Sequence, residues 1–220
     1  ARFIGAAATD GEQTAEVVFF EGGGGAVLGS IQPQPLNHRA DGTIDLAEVE
    51  ANIKPDDAHF ARTRLLALEN TWGGKVLPMD YIQSATALAR SKGLACHLDG
   101  ARLFNAAVAQ AKRLGSKPEL QALEIAKPFD SVSVCFSKGL GAPVGSMIVG
   151  TREFVERCRS IRKMLGGGMR QAGVLAAALS RAGLDAAAPT TITPVFVVSG
   201  SCSRIASSAT ASGIAPATTK

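Results

Sequence analysis

At 220 residues and 46% hydrophobic content, the chain can bury one sizeable core, as one domain or one domain with a short appendage. Its net charge of +4 comes from 23 Lys and Arg scattered among 19 Asp and Glu, a mixed pattern that describes a solvated surface; with no basic tract interleaved with aromatics, nucleic acid is excluded as a partner. No apolar run nears the roughly 20 residues of a membrane helix, the first residues do not resemble a secretory signal, and Cys96, Cys135, Cys158 and Cys202 show neither CxxC nor zinc spacing, which points to a reduced, cytoplasmic setting.

The chain opens at Ala1 in what reads as an irregular segment. Ala26 to Gly29, after a four-glycine run, reads as a short strand. Asp41-Gly42-Thr43 is a turn, and Asp45 with Glu48 three residues later forms a capping box for a helix over 46–53, which Pro55 ends. Residues 64–69 are an apolar run consistent with a strand buried on both faces, and 70–74 are a polar, glycine-rich loop. Pro78 opens a helix through Tyr81, Ala85, Leu88 and Ala89, stopped at Gly93. A second buried strand covers 94–98 and ends at Asp99; a helix follows over 101–111. After a looser stretch, 131–136 is strongly β-like and ends at Ser137-Lys138-Gly139. Another strand covers 144–149, and helices are expected over 152–164 and 170–182. From about Ala186 the composition shifts to Ala, Ser, Thr, Pro and Gly, interrupted by Val195 to Val198; residues 185–220 therefore read as a poorly ordered, low-complexity tail. Strands alternating with helices predict an α/β fold with a mostly parallel central sheet and flanking helices.

In open sheets of this class, ligands bind beyond the carboxyl ends of the strands, where both Asp99 and Lys138 stand. Lys138 follows an apolar strand, between Ser137 and Gly139. It is either a surface lysine in a turn or an amine nucleophile, which works only when part of it is neutral. Asp99 is either the N-cap of the next helix or a carboxylate placed to be paired, since burying it alone is costly. Arg102 can clamp a carboxylate bidentately or form a surface ion pair. His97, in a strand, and His59, in a connector, read as structural, and His38 as exposed in a polar loop. Gly24 to Gly29 is followed by Ser30 rather than Lys, so the glycine run is no P-loop.

Taken together, Leu68-Glu69-Asn70-Thr71, Leu98-Asp99-Gly100-Ala101-Arg102, Phe136-Ser137-Lys138-Gly139-Leu140-Gly141-Ala142-Pro143 and Gly166-Gly167-Gly168-Met169-Arg170-Gln171 occur in one order. This series resembles the low-specificity L-threonine aldolases, pyridoxal-phosphate enzymes of the aspartate-aminotransferase-like fold. The resemblance runs from about Phe20 to about Leu179 and includes Leu28 to Pro35 and His59 to Thr63. It implies a partial, transferase-like large domain over 17–184 in a chain that is a fragment of a longer protein.

The same resemblance implies that Lys138 forms a Schiff base with pyridoxal phosphate and that Asp99 pairs with its pyridine nitrogen. Arg102 is then placed near the substrate carboxylate or the cofactor, with Ser137 and Arg170 on the cofactor side. The implied reaction is retro-aldol cleavage of threonine or allo-threonine to glycine and acetaldehyde, by a homodimer or homotetramer acting on a small amino-acid substrate. A β-eliminating amino-acid lyase, or a catalytically impaired relic of the same fold, is the alternative. Two positions depart from the family pattern: Glu16 stands where a ring-stacking histidine is expected, and Trp72 replaces a histidine after Glu-Asn-Thr. Trp72 either contacts the cofactor or substrate or, more plainly, packs as a half-buried loop aromatic.

Overall fold

The computed structural model describes residues 2–7, 23–168, 173, 195–198 and 201–204. Arg170, Glu16, the helix expected over 170–182 and most of the low-complexity tail lie outside them. The chain divides into two compact units, residues 1–99 with 124–130 and residues 100–123 with 131–220. Its architecture is α/β, with a mostly parallel sheet and flanking helices.

The first unit contains β1 (Arg2–Ala7), α1 (Gly24–Val27), β2 (Gln32–Asn37), α2 (Leu46–Ala51), β3 (Thr63–Glu69), α3 (Met79–Ser91) and all but the last residue of β4 (Ala95–Gly100). Its strands run parallel, with β1 between β2 and β3 and β4 beyond β3. The opening residues, expected to be irregular, are thus the middle strand of a parallel set, and Ile4 is fully buried. Pairing on both sides supplies the order that local pattern did not reveal. Strand β2 carries Pro33 and Pro35 and sits at the edge, where a missing N–H is tolerated. The strand expected over 26–29 is instead α1, a single turn in which Val27 N–H donates to Gly23 O and Leu28 N–H to Gly24 O. Gly23, at φ 71°, makes the left-handed entry that other residues resist.

Alternation decides which face of β3 and β4 is core. Leu66, Leu68, Cys96 and Leu98 are buried, and Cys96 Sγ lies 3.9 Å from Thr86 O of α3. That helix buries Ile82, Ala85, Thr86 and Ala89, a spacing of three and four residues that makes one stripe. It ends at Gly93, φ 69°, where Leu94 N–H donates to Ala89 O. The Asp45 cap on α2 is as expected, its carboxylate accepting from Ala47 N–H at 2.9 Å.

The second unit contains α4 (Leu103–Leu114), most of α5 (Pro118–Ala126), β5 (Ser131–Cys135), β6 (Ser146–Gly150), α6 (Arg152–Met164), β7 (Val195–Val198) and β8 (Ser201–Arg204). Strands β5 to β8 pair antiparallel in succession. Helix α5 fills the stretch that read as loose; Pro118 suits its first position and Glu119 its first turn. Gln110 and Gln121 join α4 to α5 through a buried 2.7 Å hydrogen bond. Helix α6 spans the expected residues, capped by Thr151, whose hydroxyl accepts from Phe154 N–H at 3.3 Å.

Candidate active site

Asp99 lies within the end of β4, not beyond it, in register with Glu69. The loop leaving β3 is tied to this point, because Asn70 N–H donates to Asp99 O at 2.9 Å. Asn70 is fully buried. Its side-chain oxygen accepts from Leu77 N–H at 3.2 Å, closing the loop 70–77, while its amide nitrogen has no partner among the described residues.

Inside that loop, Trp72 and Lys75 exchange backbone hydrogen bonds of 3.0 and 2.8 Å. Trp72 is 8% exposed. His38 stacks on its ring at 4.1 Å between centroids and 27° between planes, and Lys75 Nζ sits 4.9 Å from the ring centroid. Gly42, at φ 87°, lies so near that a Cβ there would meet Trp72 Cε3 at 3.4 Å. His38, expected to be exposed, is therefore half-buried. Burial, with the Lys75 charge second, pushes its pKa down to about 4, and its Nδ1 is buried without a partner among the described residues. Stacking on an indole is the reason, and nothing in the polar run around residue 38 signals it. His97 is also held below its ordinary value by burial, against the opposing pull of Asp99.

In the second unit, Lys138 sits half-buried in a turn anchored at both ends. Phe136, fully buried, donates its N–H to Gly145 O at 2.8 Å and accepts from Ala142 N–H at 3.0 Å. Gly141, at φ 67°, closes the turn by donating to Lys138 O. Gly139 lies against the first turn of α4: a Cβ there would stand 2.5 Å from Asn105 Oδ1. That turn begins at Arg102, whose carbonyl accepts from Asn105 N–H. Lys138 and Arg102 are thus carried by packed segments of one unit. Ser137 and Arg102 are exposed.

Glu69 and His97 belong to the surroundings of Asp99 although the sequence did not mark them as site residues. The signal for His97 was its two-residue spacing from Asp99 on one strand; for Glu69 it was the register between strands, which a single sequence does not contain. Among the described residues, no group of His, Cys, Asp and Glu could hold a metal ion, and no helix is long and apolar enough to cross a membrane.

Residues 6–200 match the family model of the beta-eliminating lyases. The chain is 54% identical over 166 residues to the low specificity L-threonine aldolase of Escherichia coli O157:H7, covering 76% of this chain and 47% of that protein. It is 44% identical over 164 residues to low-specificity L-threonine aldolase 1 of Arabidopsis thaliana, covering 72% and 44%. A solved structure from Exiguobacterium sp. 255-15, provisionally described as an aromatic amino acid beta-eliminating lyase/threonine aldolase, matches with a TM-score of 0.61 and 26% identity over 80% of this chain and 45% of that one. The chain spans about half the length of the curated relatives it matches. It belongs to the beta-eliminating lyase family, whose members are pyridoxal-phosphate-dependent.

Proposed function

We propose that this chain is the core of a pyridoxal-phosphate-dependent aldolase that cleaves L-threonine or L-allo-threonine to glycine and acetaldehyde. The observation that supports the reading furthest is the donor set. It comprises a primary amine in an anchored turn, a guanidinium on the adjoining helix start, and a carboxylate in the last positions of a parallel strand. These are the groups pyridoxal phosphate and an amino acid require. When bound, the cofactor supplies an electron sink for the charge that develops at the substrate Cα as the Cα–Cβ bond breaks.

Lys138 provides the amine that holds the cofactor, and Asp99 the carboxylate that keeps its ring nitrogen protonated. Arg102 pairs with the substrate carboxylate through a planar fork that matches it in geometry and charge. Ser137 and Arg170 hold the cofactor from its phosphate side, and Trp72 walls the substrate with an indole already fixed by His38. A homodimer or homotetramer in the cytoplasm completes the reading, and sedimentation of the purified chain tests the assembly.

Product analysis tests the chemistry. Purified chain loaded with cofactor and given L-threonine is expected to release glycine and acetaldehyde in equal amounts. Ammonia with a keto acid would establish the alternative, β-eliminating reading. Bound cofactor with neither product would mark a catalytically impaired member.

A further inference from the structure

The face of the sheet that carries Asp99 holds two further ionisable side chains that the proposed roles leave unused. Parallel register sets His97 beside Ala67 and Asp99 beside Glu69, and Ala67 has Gly5 of β1 on its other side. Side chains alternate along a strand. Leu66, Leu68, Cys96 and Leu98 are buried on the α3 side, so Glu69, His97 and Asp99 share the opposite face, each part-exposed.

His97 and Asp99 are two residues apart, about 6.6 Å between Cα atoms at a rise of about 3.3 Å per residue. Strand side chains lean along the strand. On the β3 side at the His97 level, Ala67 and, one strand further, Gly5 are too small to hold an imidazole away from that direction. Among the β3 and β4 side chains of this face, the imidazole is the hydrogen-bond donor nearest Asp99: Glu69 is a carboxylate, Leu65, Ala67 and Ala95 carry no polar atom, and Thr63 stands at the far end of β3.

We propose that His97 is a positioning residue for Asp99, a neutral imidazole whose N–H orients the carboxylate toward the cofactor ring nitrogen while leaving its negative charge intact. An imidazolium in the same place would compete with the ring for that charge. Burial is the larger influence on His97 and outweighs the pull of Asp99, so the neutral form prevails. A donor behind a functional group fixes its orientation in the way carboxylates fix metal-ligating histidines. The inference rests on the pyridoxal-phosphate reading above.

Two substitutions in the full chain separate positioning from packing. His97→Phe keeps a ring and removes the donor; His97→Asn loses the ring and keeps an N–H. Each is loaded with cofactor carrying a ring-¹⁵N label, and the dissociation constant and the ¹⁵N chemical shift are measured. His97→Phe is expected to weaken cofactor binding about tenfold, at the low end of losses from removing such orienting partners, and to move the ¹⁵N signal toward the unprotonated range. His97→Asn is expected to stay within about threefold of the unaltered chain, with the signal in place. Should His97→Phe fail to fold, His97→Leu carries the same test. An unmoved ¹⁵N signal in the donorless variant overturns the proposal, as does equal loss in both variants. A parent chain that binds no cofactor overturns the functional reading and this inference with it; a parent that binds, with a donorless variant that matches it, overturns this inference alone.

Discussion

Trp72 is the single tryptophan, and its contact with His38 makes it a local reporter. Burial and the Lys75 charge lower the His38 pKa from 6.5 to about 4, so the unfolded chain takes up a proton near pH 6.5 that the folded chain refuses until about pH 4. Stability from this group is therefore present above pH 6.5 and lost as the pH falls toward 4. The depressed His97 acts in the same direction. Indole fluorescence is expected to be quenched with a midpoint near pH 4 as the imidazolium forms against the ring, and His38→Gln is expected to abolish the transition. A midpoint near 6.5 would show that the two rings are not stacked in solution. Asn70 offers a second test at this scale. It is fully buried, and its side-chain oxygen receives the Leu77 N–H. Asn70→Ala leaves that donor buried and unpaired, which costs about 1–3 kcal/mol, read as a lower denaturant midpoint with an unchanged slope.

At the level of elements, the glycine after Asp99 is as constrained as the aspartate. A Cβ on Gly100 would stand 2.7 Å from Ser133 O, and a backbone atom cannot rotate away as a side chain can. Gly100→Ala is expected to destabilise by about 1–3 kcal/mol, as overpacking does, whereas Gly139→Ala, which meets the mobile end of Asn105, is expected to cost less; thermal melts of the two variants check the order. The contrast also shows what a single sequence reveals. Helix α6 was expected over the residues it occupies, where the structure adds the Thr151 cap, and β3 and β4 were legible because β-rich apolar runs end in polar loops. Strand β1 was not, since its order comes from pairing with β2 and β3, and α1 was not, since four residues around glycines carry no period. The same divide runs through the site. Lys138, Asp99 and Arg102 are proposed from motif order, whereas the neighbours of Trp72 and Asp99 depend on residues 34 and 30 positions away in the chain, His38 and Glu69, brought near by folding.

For the whole molecule, each group of the proposed chemistry is described within its own unit. The first holds Asp99 at the end of a parallel strand, and the second holds Lys138 and Arg102 on a turn and helix start that pack together. A cofactor of this kind supplies the electronics, and the protein supplies attachment and orientation. Attachment is the part on which the other roles depend, because Asp99, Arg102 and His97 have no common object unless a cofactor is held at Lys138. Borohydride reduction of the pyridoxal-phosphate-loaded chain, followed by peptide mass mapping, tests it most directly. The cofactor mass is expected on the peptide containing Lys138 and absent from the Lys138→Ala chain; label on another lysine, or label undiminished in that variant, would contradict the account.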